Sequence, residues 1–221
     1  LGNDNLDAKD GNDILTGGLG NDSLNGDRGN DTYIFNLGDG QDLIKDYSGI
    51  DKIVFGAGIS QSDIKVTQKG SQDIVLTLLD ESGSETGDSL TLYYAFVSNG
   101  YAIESVEFDD GSTLTSSELL VLAHTVEGTS GDDVLQASRR SDTLNGYEGN
   151  DILLGERGND ILNGGLGNDN LDAKDGNDIL TGGLGNDSLN GGRGNDTYIF
   201  NQGDGHDSII DYSGDADTLA I

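Results

Sequence analysis

Aspartate returns at every ninth residue along two stretches of this chain: Asp4, Asp13, Asp22 and Asp31 in the first, and Asp133, Asp142, Asp151, Asp160, Asp169, Asp178, Asp187 and Asp196 in the second. Two residues after each stands a leucine, or a tyrosine in the last frame of each stretch (Tyr33 and Tyr198). The residues before it are mostly glycine and asparagine, as in GGLGNDSLNGGRGND over 182–196. Carboxylates brought together by such a repeat repel one another unless a cation lies between them. The chemistry open to this spacing is coordination of a hard cation by oxygen, with aspartate supplying charge and bare glycine backbone supplying carbonyls.

The frame GGLGNDSLN fits the pattern GGxGxDxUx and resembles the nonapeptide of the RTX (repeats-in-toxin) haemolysin-type calcium-binding proteins. The stretches DTYIFNLGDGQDLIKDYSG (31–49) and DTYIFNQGDGHDSIIDYSG (196–214) resemble the closing coil of such arrays. Their GDGxD turns add Asp39, Asp42, Asp204 and Asp207 to the candidate metal ligands. The segment between the arrays, with DSLTLYY and IESVEFDDGSTLT, resembles the haemolysin-type calcium-binding-related domain. The resemblance implies a secreted, extracellular bacterial protein, exported unfolded with type I secretion machinery as a partner of the parent protein.

Elements that could position the aspartates follow from the frame. Its first six residues make a turn in which glycine takes positive φ without a Cβ clash. Its last three make a short strand, with the eighth residue pointing inward and the seventh and ninth outward. Two frames complete one right-handed coil of 18 residues, and same-side turns stack about 4.8 Å apart. Asp169 then lies near Asp187, and Asp178 near Asp196. The fold class expected is all-β: two right-handed parallel β-rolls flanking a small antiparallel β region with one short helix. Pairing each turn with the one 18 residues on, and adding the closing turns, predicts about eight to ten bound Ca²⁺ ions as cofactors. Mg²⁺ fits less well because it demands octahedral geometry and keeps its waters. Zinc is disfavoured by the absence of Cys and the presence of only His124 and His206. No frame has the D-x-[DN]-x-[DN]-G spacing of an EF-hand.

Three departures from the frame matter. Ala8 and Ala173 replace the first glycine, Lys9 and Lys174 the second, and Arg140 the fourth. A non-glycine forced to positive φ costs about 1 kcal/mol. The turn at 137–142 is therefore expected to hold its ion weakly or not at all. At the third position Arg157, Asp175 and Arg193 stack coil over coil, which predicts an alternating ion-pair ladder of small energetic value. Leu166 over Leu184, and Ile161 beside Ile179, face outward as surface apolars or as a contact strip for a neighbouring unit.

Composition agrees with this reading. The 221 residues include 36 Gly and no Pro, Cys, Met or Trp, and the formal charge is −30. Such charge with few apolar residues reads as disorder unless a ligand intervenes. It excludes nucleic acid and anionic membrane surfaces as direct partners and makes cations the obvious ones. Without disulfides, a stable secreted domain needs another staple, such as a metal. The apolar runs are too short for membrane insertion or a signal peptide.

Residues 1–49 match residues 166–214 at 44 of 49 positions, and the first frame starts before Leu1, so the chain is expected to be cut from a longer array. The organisation expected is a roll at 1–49, a spacer at 50–123, a second roll at 128–214 and the start of another spacer at 215–221. In the spacer, DIKVTQ, DIVLTLLD, SLTLYYAFV and AIESVEFDDG alternate apolar and polar residues and read as antiparallel strands. TSSELLVLA (115–123) reads as a helix opened by a Thr or Ser cap.

The function expected is a calcium-dependent folding module of a large secreted protein, unfolded without Ca²⁺ and folded on meeting external Ca²⁺. The alternative is an adhesion or carbohydrate-binding auxiliary module, with a glycan or a neighbouring repeat unit as partner. Tyr93, Tyr94, Phe96 and Tyr101 would be its sugar platform. An ice-binding surface would want a rank of threonines at the third turn position, which is absent. No catalytic motif such as HExxH or GxSxG occurs, so no enzyme activity is expected of this chain.

Overall fold

Three-residue strands cannot stand alone, and a frame with one inward leucine buries its apolar side chain only by stacking on other frames. The computed structural model describes residues 1–70, 72–93, 95, 103–211 and 216–221. They divide into two units, Leu1–Ala123 and His124–Ile221.

In the first unit the roll strands are β1 (Asn5–Asp7), β2 (Ile14–Thr16), β3 (Ser23–Asn25), β4 (Thr32–Phe35) and β5 (Gln41–Lys45). They are followed by β6 (Asp51–Phe55), β7 (Ile64–Lys69), β8 (Asp73–Leu79), β9 (Glu85–Leu92), β10 (Ile103–Glu107), β11 (Thr113–Thr115) and helix α1 (Ser116–Ala123). Odd and even frames feed opposite sheets, as a two-frame coil requires. One sheet runs β1-β3-β5-β9-β8-β7 and the other β11-β10-β6-β4-β2. The spacer strands therefore continue both sheets of the roll. The expected antiparallel pairing holds for β7 with β8, β8 with β9, and β10 with β11. It is corrected at the junction, where β9 lies parallel to β5 and β10 parallel to β6. These two strands carry β-branched and apolar residues that cover the last coil of the roll, so one core runs from Leu15 and Leu24 through Tyr33, Phe35 and Ile53 to Leu76, Leu90 and Leu119. Helix α1 starts where expected, with the Thr115 hydroxyl accepting from the Glu118 N–H and the Glu118 carboxylate accepting from the Thr115 N–H at 2.7 Å.

The second unit is a plain roll. Its strands are β12 (Thr125–Glu127), β13 (Val134–Gln136), β14 (Thr143–Glu148), β15 (Ile152–Leu154), β16 (Ile161–Leu166), β17 (Asn170–Asp172), β18 (Ile179–Leu184), β19 (Ser188–Asn190), β20 (Thr197–Ile199), β21 (Ser208–Ile209) and β22 (Thr218–Ala220). The even-numbered strands form one parallel sheet and the odd-numbered the other. The register step is the 18 residues predicted: Leu144 pairs with Leu162, Leu162 with Leu180, and Leu180 with Tyr198. Leu144, Leu153, Leu162, Leu171 and Leu180 are fully buried between the two sheets. Apart from two alanines and that tyrosine, the buried core is leucine.

Candidate metal centre

Eight of the twelve frame aspartates bridge adjacent coils through one carboxylate oxygen. Oδ1 accepts a hydrogen bond from the main-chain N–H of the aspartate one coil earlier. Asp4, Asp13, Asp133, Asp142, Asp151, Asp160, Asp169 and Asp178 donate in this way to Asp22, Asp31, Asp151, Asp160, Asp169, Asp178, Asp187 and Asp196, at 2.6–2.8 Å. Oδ2 of Asp13, Asp22, Asp31, Asp42, Asp51, Asp151, Asp160, Asp169, Asp178 and Asp187 is buried with no hydrogen-bond partner. A buried carboxylate oxygen left unmatched is costly, and a file of them at one register calls for a counter-charge.

The first glycine of the frame makes room at this oxygen. A Cβ on Gly164 would stand 2.4 Å from Asp169 Oδ2 and 2.5 Å from the Gly182 carbonyl oxygen, and Gly146 repeats the arrangement with Asp151 and the Gly164 carbonyl. Carboxylate and backbone carbonyl of adjacent coils thus converge on a space that any side chain at the glycine would fill. An all-oxygen donor set of this kind fits a hard cation such as Ca²⁺.

Electrostatics point the same way. Burial pushes the carboxyl groups of Asp42, Asp160 and Asp169 up to about 6, and those of Asp51 and Asp178 up to about 7. Hydrogen bonds from the coil before oppose the shift, and neighbouring aspartates add to it.

The remaining predicted ligands fall into separate settings. Asp4 is exposed on the first coil. Asp133 and Asp142 have their Oδ2 satisfied within their own turns, by the N–H and hydroxyl of Thr129 and of Ser138. Asp42 and Asp207 take over the bridging role 20 residues after Asp22 and Asp187, accepting from their N–H groups at 2.8 and 3.0 Å. Asp39 and Asp204 instead close local turns, with Oδ2 accepting from the N–H of Asn36 and Asn201. Asp196 carries the same bridge from Asp178.

Arg140 is not strained, contrary to expectation. Among the described residues the non-glycines at positive φ are Lys9, Asp27, Tyr147, Glu156 and Lys174, each at the second position of its frame with φ of 70–77°. Like the turn at Thr129, the turn at Arg140 has a hydroxyl, that of Ser138, which supplies the donor that the glycine frames lack.

Sequence reasoning missed several residues. Asp51 accepts from the Asp31 N–H at 2.7 Å, and Asp217 from the Asp196 N–H at 3.0 Å. Asp46 and Asp211 accept from the hydroxyls of Tyr33 and Tyr198. The sequence signal was the DYSG motif shared by both copies at 46–49 and 211–214. Asparagine at the fifth frame position also has a role: Asn150, Asn168 and Asn186 form an external ladder in which each side-chain oxygen accepts from the next coil's N–H. The predicted ion-pair ladder is present, with Asp175 3.8 Å from both Arg157 and Arg193. Of the proposed sugar platform, Tyr93 is partly exposed with Lys45 Nζ 5.6 Å from its ring centroid. Tyr94, Phe96 and Tyr101 lie outside the described residues.

The family model for the RTX calcium-binding nonapeptide repeat (4 copies) matches residues 1–33, 127–162 and 163–198, the stretches that carry all twelve frame aspartates. These are RTX calcium-binding repeats. The haemolysin-type calcium binding protein related domain matches residues 82–118, within the segment that continues the first roll. Among solved structures, the extracellular lipase LipA from Serratia marcescens is similar at 22% identity and a TM-score of 0.21, over 84% of this chain and 32% of the lipase. The chain thus spans about a third of that protein's length. No helix among the described residues is long and apolar enough to cross a membrane.

Proposed function

We propose that this chain is a calcium-folded structural module of a secreted bacterial RTX protein, kept unfolded during export through a type I secretion system and folded outside the cell. The observation that carries the reading is the file of buried, unmatched Oδ2 atoms facing bare glycine backbone on successive coils. Without a cation these carboxylates oppose the fold, and one leucine per frame cannot offset both that and the ordering entropy. Ion binding then becomes folding free energy. Calcium is below the affinity of extracellular-type sites inside a cell and above it outside, which makes folding follow export.

The proposed ligands are Asp13, Asp22, Asp31, Asp42, Asp151, Asp160, Asp169, Asp178, Asp187, Asp196 and Asp207, completed by glycine carbonyls. Asp133 and Asp142 belong to turns that satisfy themselves. About eight to ten Ca²⁺ ions per chain are expected. Native mass spectrometry of the folded chain tests the count, and fewer than about four ions would contradict it.

A further inference from the structure

Each roll stops repeating at the same structural event. The last frame replaces its inward leucine by Tyr33 or Tyr198, and the bridging partner then comes from beyond the nonapeptides. At this step Asp31, Asp46 and Asp51 bring ligand oxygens within 4.8 Å of one another, and so do Asp196, Asp211 and Asp217. Asp31, Asp46 and Asp51 are at most 3% exposed. Both Asp31 and Asp51 keep an Oδ2 that is buried and without a hydrogen-bond partner.

We propose that Asp31, Asp46 and Asp51 form a three-carboxylate calcium site that closes the first roll, that Asp196, Asp211 and Asp217 form its counterpart in the second, and that Tyr33 and Tyr198 are positioning residues for it. The proposal rests on the calcium reading above but concerns a site of different composition from the repeat step. The tyrosine hydroxyl accepts from the N–H of the frame's first glycine, Gly26 or Gly191, at 2.8 Å and donates to Asp46 at 2.5 Å or Asp211 at 2.9 Å. A leucine can do neither, which accounts for the one break in the leucine rule. A Cβ on Gly26 would stand 2.3 Å from Asp31 Oδ2 and 2.5 Å from the Tyr33 hydroxyl, so the same glycine cradle serves this site.

Recurrence is an independent argument. Asp51 follows Asp46 by five positions, whereas Asp217 follows Asp211 by six, yet both second aspartates accept from the N–H of the last frame aspartate. The spacing has changed and the convergence has not. A third carboxylate raises the charge set against the ion, and in calcium sites that charge count tightens binding. Each closing site therefore takes Ca²⁺ more tightly than a repeat step of its own roll.

The test uses the whole chain, calcium for counting and Tb³⁺ as a luminescent substitute. Excitation of tyrosine sensitises Tb³⁺ only at close range, and the closing sites have a tyrosine hydroxyl on a ligand carboxylate. Expected for the pair Asp46→Asn and Asp211→Asn is that the ion of each closing site comes to bind no more tightly than those of the repeat steps in a calcium titration followed by native mass spectrometry, with the other ions unchanged. Tyr33→Phe with Tyr198→Phe keeps the ions, weakens the closing sites about tenfold, as loss of a ligand's supporting partner does, and removes most of the sensitised emission. Unchanged affinity of the tightest ions in the Asn pair, or unchanged emission in the Phe pair, overturns the closing sites while leaving the repeat sites standing. A parent chain that binds no calcium overturns both readings. If the Asn pair does not fold, the Phe pair decides alone.

Discussion

The main-chain N–H of Asp169 donates to Oδ1 of Asp187 at 2.8 Å, while Oδ2 of Asp187 is buried without a hydrogen-bond partner. One oxygen holds the coils in register and the other opposes them until a cation arrives. Asp187→Asn keeps an oxygen for the N–H and removes the charge. It is expected to weaken calcium binding by on the order of tenfold or more and to make the metal-free roll more, not less, stable. Calcium titration and chemical denaturation of the variant check the two halves, and a destabilised metal-free roll would refute this account of Asp187.

Protons can stand in for the cation. Asp51 and Asp178 are pushed up to about 7, and Asp42, Asp160 and Asp169 to about 6, from an ordinary value of 3.8. A carboxyl whose pKa rises on folding contributes stability that is fully present below about pH 4 and is lost as pH climbs through 6 to 7. The metal-free rolls should therefore be more ordered at pH 5 than at pH 7.5. Calcium must displace those protons, so its midpoint concentration should fall across the same window. Circular dichroism at the two pH values measures both trends, and a pH-independent midpoint contradicts them.

Gly167 has φ +135°, and a Cβ there would lie 1.6 Å from the Gly149 carbonyl oxygen of the coil before. Backbone cannot move aside as a side chain can. Gly167→Ala is expected to cost at least about 1–3 kcal/mol of backbone strain and to lower the calcium-loaded melting temperature. A variant with wild-type melting would show that the coils stack less closely than described.

The second frame position offers the reverse change. Tyr147 and Lys174 sit at φ 75° and 77° where other frames place glycine. Tyr147→Gly and Lys174→Gly should each stabilise the calcium-loaded fold by up to about 1 kcal/mol, less the entropy that glycine adds to the unfolded chain. Thermal melts in excess calcium settle the sign.

The rolls were legible in the sequence because a single-leucine frame leaves little choice. Leu144, Leu162 and Leu180 can be buried together only at an 18-residue register, and that register carries Asp142, Asp160 and Asp178 with it. Two things were hidden. The parallel pairing of β9 with β5 and β10 with β6 joins residues about 50 apart, and alternation within a strand says nothing about its partner. The closing carboxylates Asp46, Asp51, Asp211 and Asp217 lie outside the nonapeptide period, so no repeat count finds them. The turn at 137–142 was expected to be weak because of Arg140, whereas it is the Ser138 hydroxyl that changes the state of Asp142, as the Thr129 hydroxyl does for Asp133.

The central claim is that calcium and folding are one event in the rolls. Far-UV circular dichroism of the whole chain during a calcium titration, with magnesium as control, tests it most directly. The account predicts a cooperative gain of β signal with Ca²⁺ and none with Mg²⁺. Full β signal in excess chelator at neutral pH would contradict it, and the proposal of folding after export would fall with it.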